Sequence, residues 1–343
     1  MNAFSISSQG SDHKICGIPC QDSSAHLSLR VQGVGRVLVI AVGDGLGSCR
    51  FSDRGSHAAV DGWLTVVQEE LTVADFRALD TRQRKEKMMA ILHKAMEAAT
   101  AEVRARADGD SQPVDEYETT LSGAILLENG TLFLSHCGDG GIAILQENGE
   151  YKSATTRHKG AFVNSVIPLS IKTSWEFRSF DHVCAASAYT DGLWDHFVSA
   201  ENEGALIFWP FLQPAVRPVH NAEESRALEE GWRALLTGKT NYFGGRTLGE
   251  IVHDDLTMAV MCRDAKILEH SLNRLQWDAG AFKEALKQAR QRSLYGLLPQ
   301  DKIETRWQAQ TALCKADAET AVPAKCKKKR RLRTRASGTS EKK

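Results

Sequence analysis

Residues 37–42 (VLVIAV) are a short, continuous apolar run rich in β-branched side chains, the pattern of a buried strand. The run ends in Gly43-Asp44-Gly45-Leu46-Gly47, a loop whose glycines are free to take positive φ. Apolar residues then recur at helical spacing from about residue 52 to 71. They do so again from about 73 to 106, where Met88, Met89, Ile91, Leu92 and Ala95 form the face expected to be buried. Residues 108–115 read as a loop. A strand cluster follows: residues 119–127, the hairpin turn Asn129-Gly130, residues 131–136, and a third strand at 142–146 closed by Glu147-Asn148-Gly149. Segments 175–180 and 183–190 read as a further strand pair, 221–237 as a helix and 256–262 as a last apolar strand. Helical periodicity resumes over 265–294, most clearly at 278–292. Strands and helices in separate runs, not in strict alternation, predict α+β layering rather than a doubly wound sheet.

The 343 residues are long enough to bury a sizeable core. Lys+Arg and Asp+Glu are 43 each, but the balance is uneven along the chain. Residues 325–343 hold ten basic residues and one acidic, a net +9, which leaves 33 basic and 42 acidic elsewhere, a net −9. An acidic body of this kind excludes a strongly basic nucleic-acid-binding domain. The expected organisation is a domain over 1–264, a helical extension over 265–314 and a disordered basic tail over 315–343. The tail (KCKKKRRLRTR) has the charge to hold an anionic partner, nucleic acid or membrane, weakly, or to serve only as a solubilising segment. It lacks the aromatics that base stacking needs. No apolar window is long enough for a transmembrane helix, and the start of the chain lacks the pattern of a secretory signal. The eight cysteines are scattered, with no paired metal-ligand spacing, as expected of reduced thiols in a cytoplasmic protein.

Candidate chemistry lies where strands run into glycine turns. Asp44 follows VLVIAVG, Asp139 follows TLFLSHCG, and Asp191 follows VCAASAYT and precedes Gly192. Asp254-Asp255 immediately precedes LTMAVM, and Gln21-Asp22 precedes an N-terminal segment. One Asp-Gly pair is an ordinary turn. Four acidic sites joined in the same way to apolar strands suggest carboxylates delivered to one sheet edge. Such a group repels itself, and a cation removes that cost. Oxygen ligands without His or Cys select Mg²⁺ or Mn²⁺ over Zn²⁺.

The ordered set resembles the protein phosphatase 2C family, the metal-dependent serine/threonine phosphatases, particularly their compact bacterial members. The resemblance is carried by Gly10-Ser-Asp-His13 with Gly17-Ile-Pro-Cys-Gln21-Asp22, by Val42-Gly43-Asp44-Gly45-Leu46-Gly47, and by Glu118-Thr119-Thr120-Leu121. Cys137-Gly138-Asp139-Gly140, Tyr189-Thr190-Asp191-Gly192-Leu193-Trp194-Asp195 and His253-Asp254-Asp255-Leu256-Thr257 complete it, in the family's order, over about residues 5–263. It implies an α+β fold of two antiparallel sheets packed face to face with helices on the outer faces. It also implies two Mn²⁺ or Mg²⁺ ions. Asp44 would bridge them, the Gly45 carbonyl would bind the second, and Asp191 and Asp254 would hold the first. Asp139, with Asp191, matches the place of a third, weaker ion. Asp22 would stand behind the metals or reach one through water, with Gln21 in place of the usual Glu. Asp255 stands where many members have Asn and is the less favoured ligand. The implied reaction is hydrolysis of phospho-Ser/Thr monoesters by in-line attack of a hydroxide shared by the two metals. The implied partner is a phosphoprotein, with a cognate kinase opposing the activity, and a monomer is expected.

Some positions depart from the family pattern. Leu46 stands where many eukaryotic members have a His that is a candidate general acid, which leaves water, His13 or His136 to protonate the leaving group. The phosphate-binding Arg upstream of the acidic pair is not evident, and Lys14 offers only a point charge there. Residues 157–162 (RHKGAF) fall at the family's flap, where Arg157, His158 and Lys159 would contact substrate or form a solvated loop. Neither Cys49 nor Cys137 opens the phosphate loop ending in Arg that a cysteine phosphatase needs. The competing reading is a phosphatase-fold regulatory or binding module with little turnover. The missing Arg motivates it, and the retained Asp44, Asp191 and Asp254 argue against it. Turnover of an aryl phosphate with Mn²⁺ separates the two.

Overall fold

The two central strands explain the architecture. In the computed structural model, β4 (Leu121–Leu127) and β9 (Val183–Tyr189) are buried at all seven positions. A strand is buried on both faces only when both faces are covered. Here each central strand lies between a helical layer and a second sheet. The structure describes residues 1–158, 166–197, 215–241 and 245–275, with isolated positions up to residue 284.

One sheet has the order β1 (Asn2–Ser8), β10 (Leu256–Cys262), β9, β6 (Gly141–Gln146), β7 (Tyr151–Ser153). The other has the order β2 (Asp22–Val31), β3 (Gly35–Asp44), β4, β5 (Leu132–Cys137), β8 (Glu176–Phe180). Every pairing between named strands is antiparallel. The sheets pack face to face. The VLVIAV run divides by alternation: Leu38, Ile40 and Val42 meet Ile142, Ile144, Ala186 and Met261 of the opposite sheet. Val37, Val39 and Ala41 point the other way, into a layer with Trp63, Val67, Leu92 and Met96. That layer is α2 (Ser52–Val73) and α3 (Thr81–Gly109). On the far side, α5 (Ala222–Leu236) and α6 (Ala265–Leu272) cover the first sheet through Leu228, Trp232, Leu236 and Leu268. The expected α+β sandwich, helices outside and two sheets inside, is the observed fold.

Two expectations change. The chain does not stay helical from residue 73. It leaves α2 after Val73 and restarts at Thr81, because Asp80 and Gln83 form a reciprocal capping box: the Asp80 carboxylate accepts from Gln83 N (2.8 Å) and Gln83 Oε1 accepts from Asp80 N (3.0 Å). The expected C-terminal extension begins as part of the packed body. Leu268 is fully buried and Ser271 Oγ donates to the Gln146 carbonyl at 2.6 Å. The clearest helical pattern, 278–292, falls mostly outside the described residues, and the basic tail does so entirely. Among the described residues no helix is long and apolar enough to cross a membrane.

Candidate active site

Antiparallel topology brings the acidic turns to one end of the sandwich. β3 ends at Asp44, β5 at Cys137 just before Asp139, and β9 at Tyr189 just before Asp191, which opens the short helix α4 (Asp191–Phe197). β10 starts there, directly after Asp254-Asp255. Asp44, Asp139 and Asp191 each offer a carboxylate oxygen, and these oxygens lie within 4.8 Å of one another. They line a cleft of about 530 Å³ with Asp254, Asp255, Gln21, Gly45, Leu46, Thr120 and His13. Among the described residues no Lys, Arg or Cys lines it.

The backbone around Asp44 is held tightly. Its carbonyl accepts from Thr119 Oγ1 (2.8 Å) and Thr120 N (2.8 Å), and its N–H donates to Thr120 Oγ1 (3.1 Å). Gly45 N donates to the Gln21 carbonyl at 3.0 Å. A Cβ on Gly45 would fall 2.5 Å from the Ser52 carbonyl oxygen and 2.8 Å from that of Gln21, so only glycine lets the chain pass here. Gly138, with φ +125°, makes the turn that delivers Asp139.

Burial and like charge both act on this group. Asp44 is pushed well above the carboxylate range by burial, then by the charges of Asp191, Asp22 and Asp139. Asp191 rises to about 7 through burial, then Asp139, Asp254 and Asp195. Asp44 and Asp191 therefore meet at close range, each raising the other's tendency to hold a proton. Asp254 is also raised, chiefly by burial. A divalent cation would relieve that repulsion, so the residues present fit a hard cation bound through oxygen.

The remaining residues singled out from sequence take different positions. Asp22 lies behind the cleft, 3% exposed, accepting from Thr190 Oγ1 at 2.8 Å, and burial with the Asp255 charge pushes its pKa well up. Asp255 is fully engaged: its two oxygens accept from Gly10 N and Gln21 N, both at 2.6 Å, and Oδ1 is 3.0 Å from His13 Nδ1. It lines the cleft beside Asp254 but ties the N-terminal loop to the start of β10. Lys14 is exposed on α1 (Ser11–Cys16) and does not line the cleft. His136 is fully buried, hydrogen-bonded through Nδ1 to Ser122 Oγ (2.7 Å), and burial lowers its pKa to about 3, so it is not placed to donate a proton in the cleft. Cys137 is buried as well, its thiol pushed up to about 11 by burial. Arg157 turns inward rather than toward solvent: its side chain is 9% exposed and pairs with Asp139 (Nη2 to Oδ2, 3.6 Å) and, more closely, with Asp195. Lys159 lies outside the described residues. Thr190 and Asp195 were not singled out as site residues. Only their place in the Tyr189–Asp195 motif marked them, since their partners Asp22 and Arg157 are remote in sequence.

The sequence profile of the family described as protein phosphatase 2C matches residues 9–232. The chain belongs to the protein phosphatase 2C family. No curated protein matches it. Solved structures with a similar fold include a bacterial serine phosphatase, 12% identical, with a TM-score of 0.49, covering 77% of this chain and 98% of that one. The serine/threonine phosphatase Stp1 from Staphylococcus aureus is 11% identical, with a TM-score of 0.48 and coverage of 77% and 95%. A serine-threonine phosphatase 2C from Toxoplasma gondii is 15% identical, with a TM-score of 0.46 and coverage of 75% and 93%.

Proposed function

We propose that this protein is an active, metal-dependent phosphatase that hydrolyses phospho-Ser/Thr monoesters in proteins. The observation that carries the reading is the Asp44–Asp139–Asp191 group: three carboxylates with oxygens within 4.8 Å of one another lining one cleft, with Asp44 and Asp191 both raised in pKa by burial and neighbouring like charge. A regulatory module that bound phosphoprotein without turnover would gain nothing from that repulsion. Asp44, the Gly45 carbonyl, Asp191 and Asp254 are the residues that would hold two Mn²⁺ or Mg²⁺ ions. Bound there, such ions supply Lewis-acid charge for the phosphoryl oxygens and a water activated near neutral pH.

The protein's own groups supply geometry. Thr119 and Thr120 fix the Asp44 backbone, so its carboxylate is aimed before any ligand binds. Asp255 fixes the Gly10–Gln21 loop, which forms one wall of the cleft and carries His13 to its rim. His13, 18% exposed, is the imidazole at that rim that would pass a proton to the departing alkoxide, with water as the other source. Leu46 lines the wall where a proton donor would otherwise stand.

The test is phosphate release from phospho-Ser and phospho-Thr peptides with added Mn²⁺, paired with calorimetric titration of Mn²⁺ into the full-length chain. Release that depends on Mn²⁺ or Mg²⁺, and is far weaker with Zn²⁺, is expected. Tight Mn²⁺ binding without any release would favour the regulatory module instead.

A further inference from the structure

The oxygens of Asp44, Asp139 and Asp191 that lie within 4.8 Å of one another give Asp139 the geometry to join the other two as a metal ligand. Yet Asp139 already has a cation from the chain itself. The Arg157 guanidinium, 9% exposed, lies between Asp139 (3.6 Å) and Asp195, with the closer contact to Asp195. The next residue anchors it: His158 N donates to the Gly138 carbonyl at 2.8 Å, in the same turn that carries Asp139. Burial works against the Arg157 charge, but Asp195, Asp139 and Asp191 more than offset it, and it remains ionised. A guanidinium only donates hydrogen bonds and does not lose its proton in proteins, so it cannot coordinate a metal and cannot leave by titration.

Resting on the dimetal reading above, we propose that Arg157 is a built-in counter-cation that occupies Asp139 and Asp195 and so keeps a further divalent ion out of the site, limiting the resident complement to two. The chemistry is competition for one carboxylate. One fixed positive charge already offsets Asp139, and a metal ion that claimed the same oxygens would confront that charge at close range. With Arg157 gone, Asp139 and Asp195 lose that positive charge beside Asp191, an arrangement that draws in a hard cation.

The experiment is calorimetric counting of Mn²⁺ on the full-length chain, with no substrate present. Arg157→Met is expected to bind one more Mn²⁺ per chain than the unaltered protein, and adding Asp139→Asn to it should abolish the extra ion. Asp139→Asn alone should leave the count unchanged, a result that needs no Arg157 variant and stands if Arg157→Met fails to fold. An unchanged count and affinity in a folded Arg157→Met overturns the proposal. So does an extra ion that survives Asp139→Asn, or an ion lost from Asp139→Asn alone. If the unaltered protein binds no Mn²⁺ at all, the dimetal reading itself fails. If it binds two ions and Arg157→Met adds none, that reading stands and only the role of Arg157 falls.

Discussion

The two ends of the sandwich are built on opposite electrostatics. At the cleft end, Asp44, Asp139, Asp191 and Asp254 converge, and burial raises the pKa of Asp44, Asp191 and Asp254. At the other end the strands close in short turns and opposite charges pair. Arg263, directly after β10, donates to the Glu128 carbonyl (3.1 Å) and the Glu147 carboxylate (2.8 Å), which lowers the Glu147 pKa. Arg36 N donates to Glu128 Oε2 at 2.9 Å. One end contributes stability, and the other holds like charges together against it. Strain concentrated at one place, in a fold otherwise locally consistent, marks a working site.

The sharpest way to break this comparison is Asp44→Asn. It should lower metal-dependent phosphate release by more than about 100-fold, beyond what loss of an outer hydrogen-bond partner of a metal site costs. It should also raise the melting temperature measured in chelator, because it removes one of the repelling charges. If this variant instead melts lower in chelator than the unaltered protein, the cleft carboxylates are not in conflict.

A second test titrates the conflict. Asp191 has a folded pKa of about 7, above the ordinary carboxylate value. Between those values the folded state binds more protons than the unfolded chain, so stability falls as pH rises. In chelator, the melting temperature should therefore decline from about pH 4 to about pH 7. Saturating Mn²⁺ should flatten that slope by replacing the proton. A slope of the opposite sign in chelator would contradict the assignment.

Arg263→Ala probes the opposite end. It removes a buried charge bonded to Glu128 and Glu147 and should cost about 2 kcal/mol of stability. Turnover per folded molecule should not change, which a denaturant melt and a rate measurement on the same sample would check. The smallest effect is expected from removing residues 325–343. That segment lies outside the matched family region, and turnover of a small aryl phosphate should be unaffected.

Much of the sandwich was legible because its central strands announce themselves locally. VLVIAV, AILL and MAVM are apolar on consecutive positions, the pattern of strands covered on both faces. The edge strands β1 and β2 were not legible. NAFSISS and DSSAHLSLRV alternate polar with apolar, and some of their polar side chains meet across the two strands: Ser7 Oγ with Ser24 Oγ at 2.9 Å, Ser5 Oγ with His26 Nδ1 at 3.0 Å. Polar side chains satisfied by a partner 17 or 21 residues away carry no sign of that partner in their own segment.

The acidic turns followed from sequence alone, since each is an Asp at the end of an apolar run and the runs are local. The order of those turns was enough to identify the family. Only the tertiary structure showed what each carboxylate meets. Asp254 and Asp255 are neighbours of identical chemistry and both line the cleft, yet the oxygens of Asp255 are held by Gly10 and Gln21 from the opposite end of the chain. The inward turn of Arg157 onto Asp139 and Asp195 and the burial of His136 were decided in the same way. A residue's own segment determines whether it can be buried and which element it joins. What charge or donor it then meets depends on segments brought beside it by the sheets, and electrostatic energy depends on that distance rather than on separation along the chain.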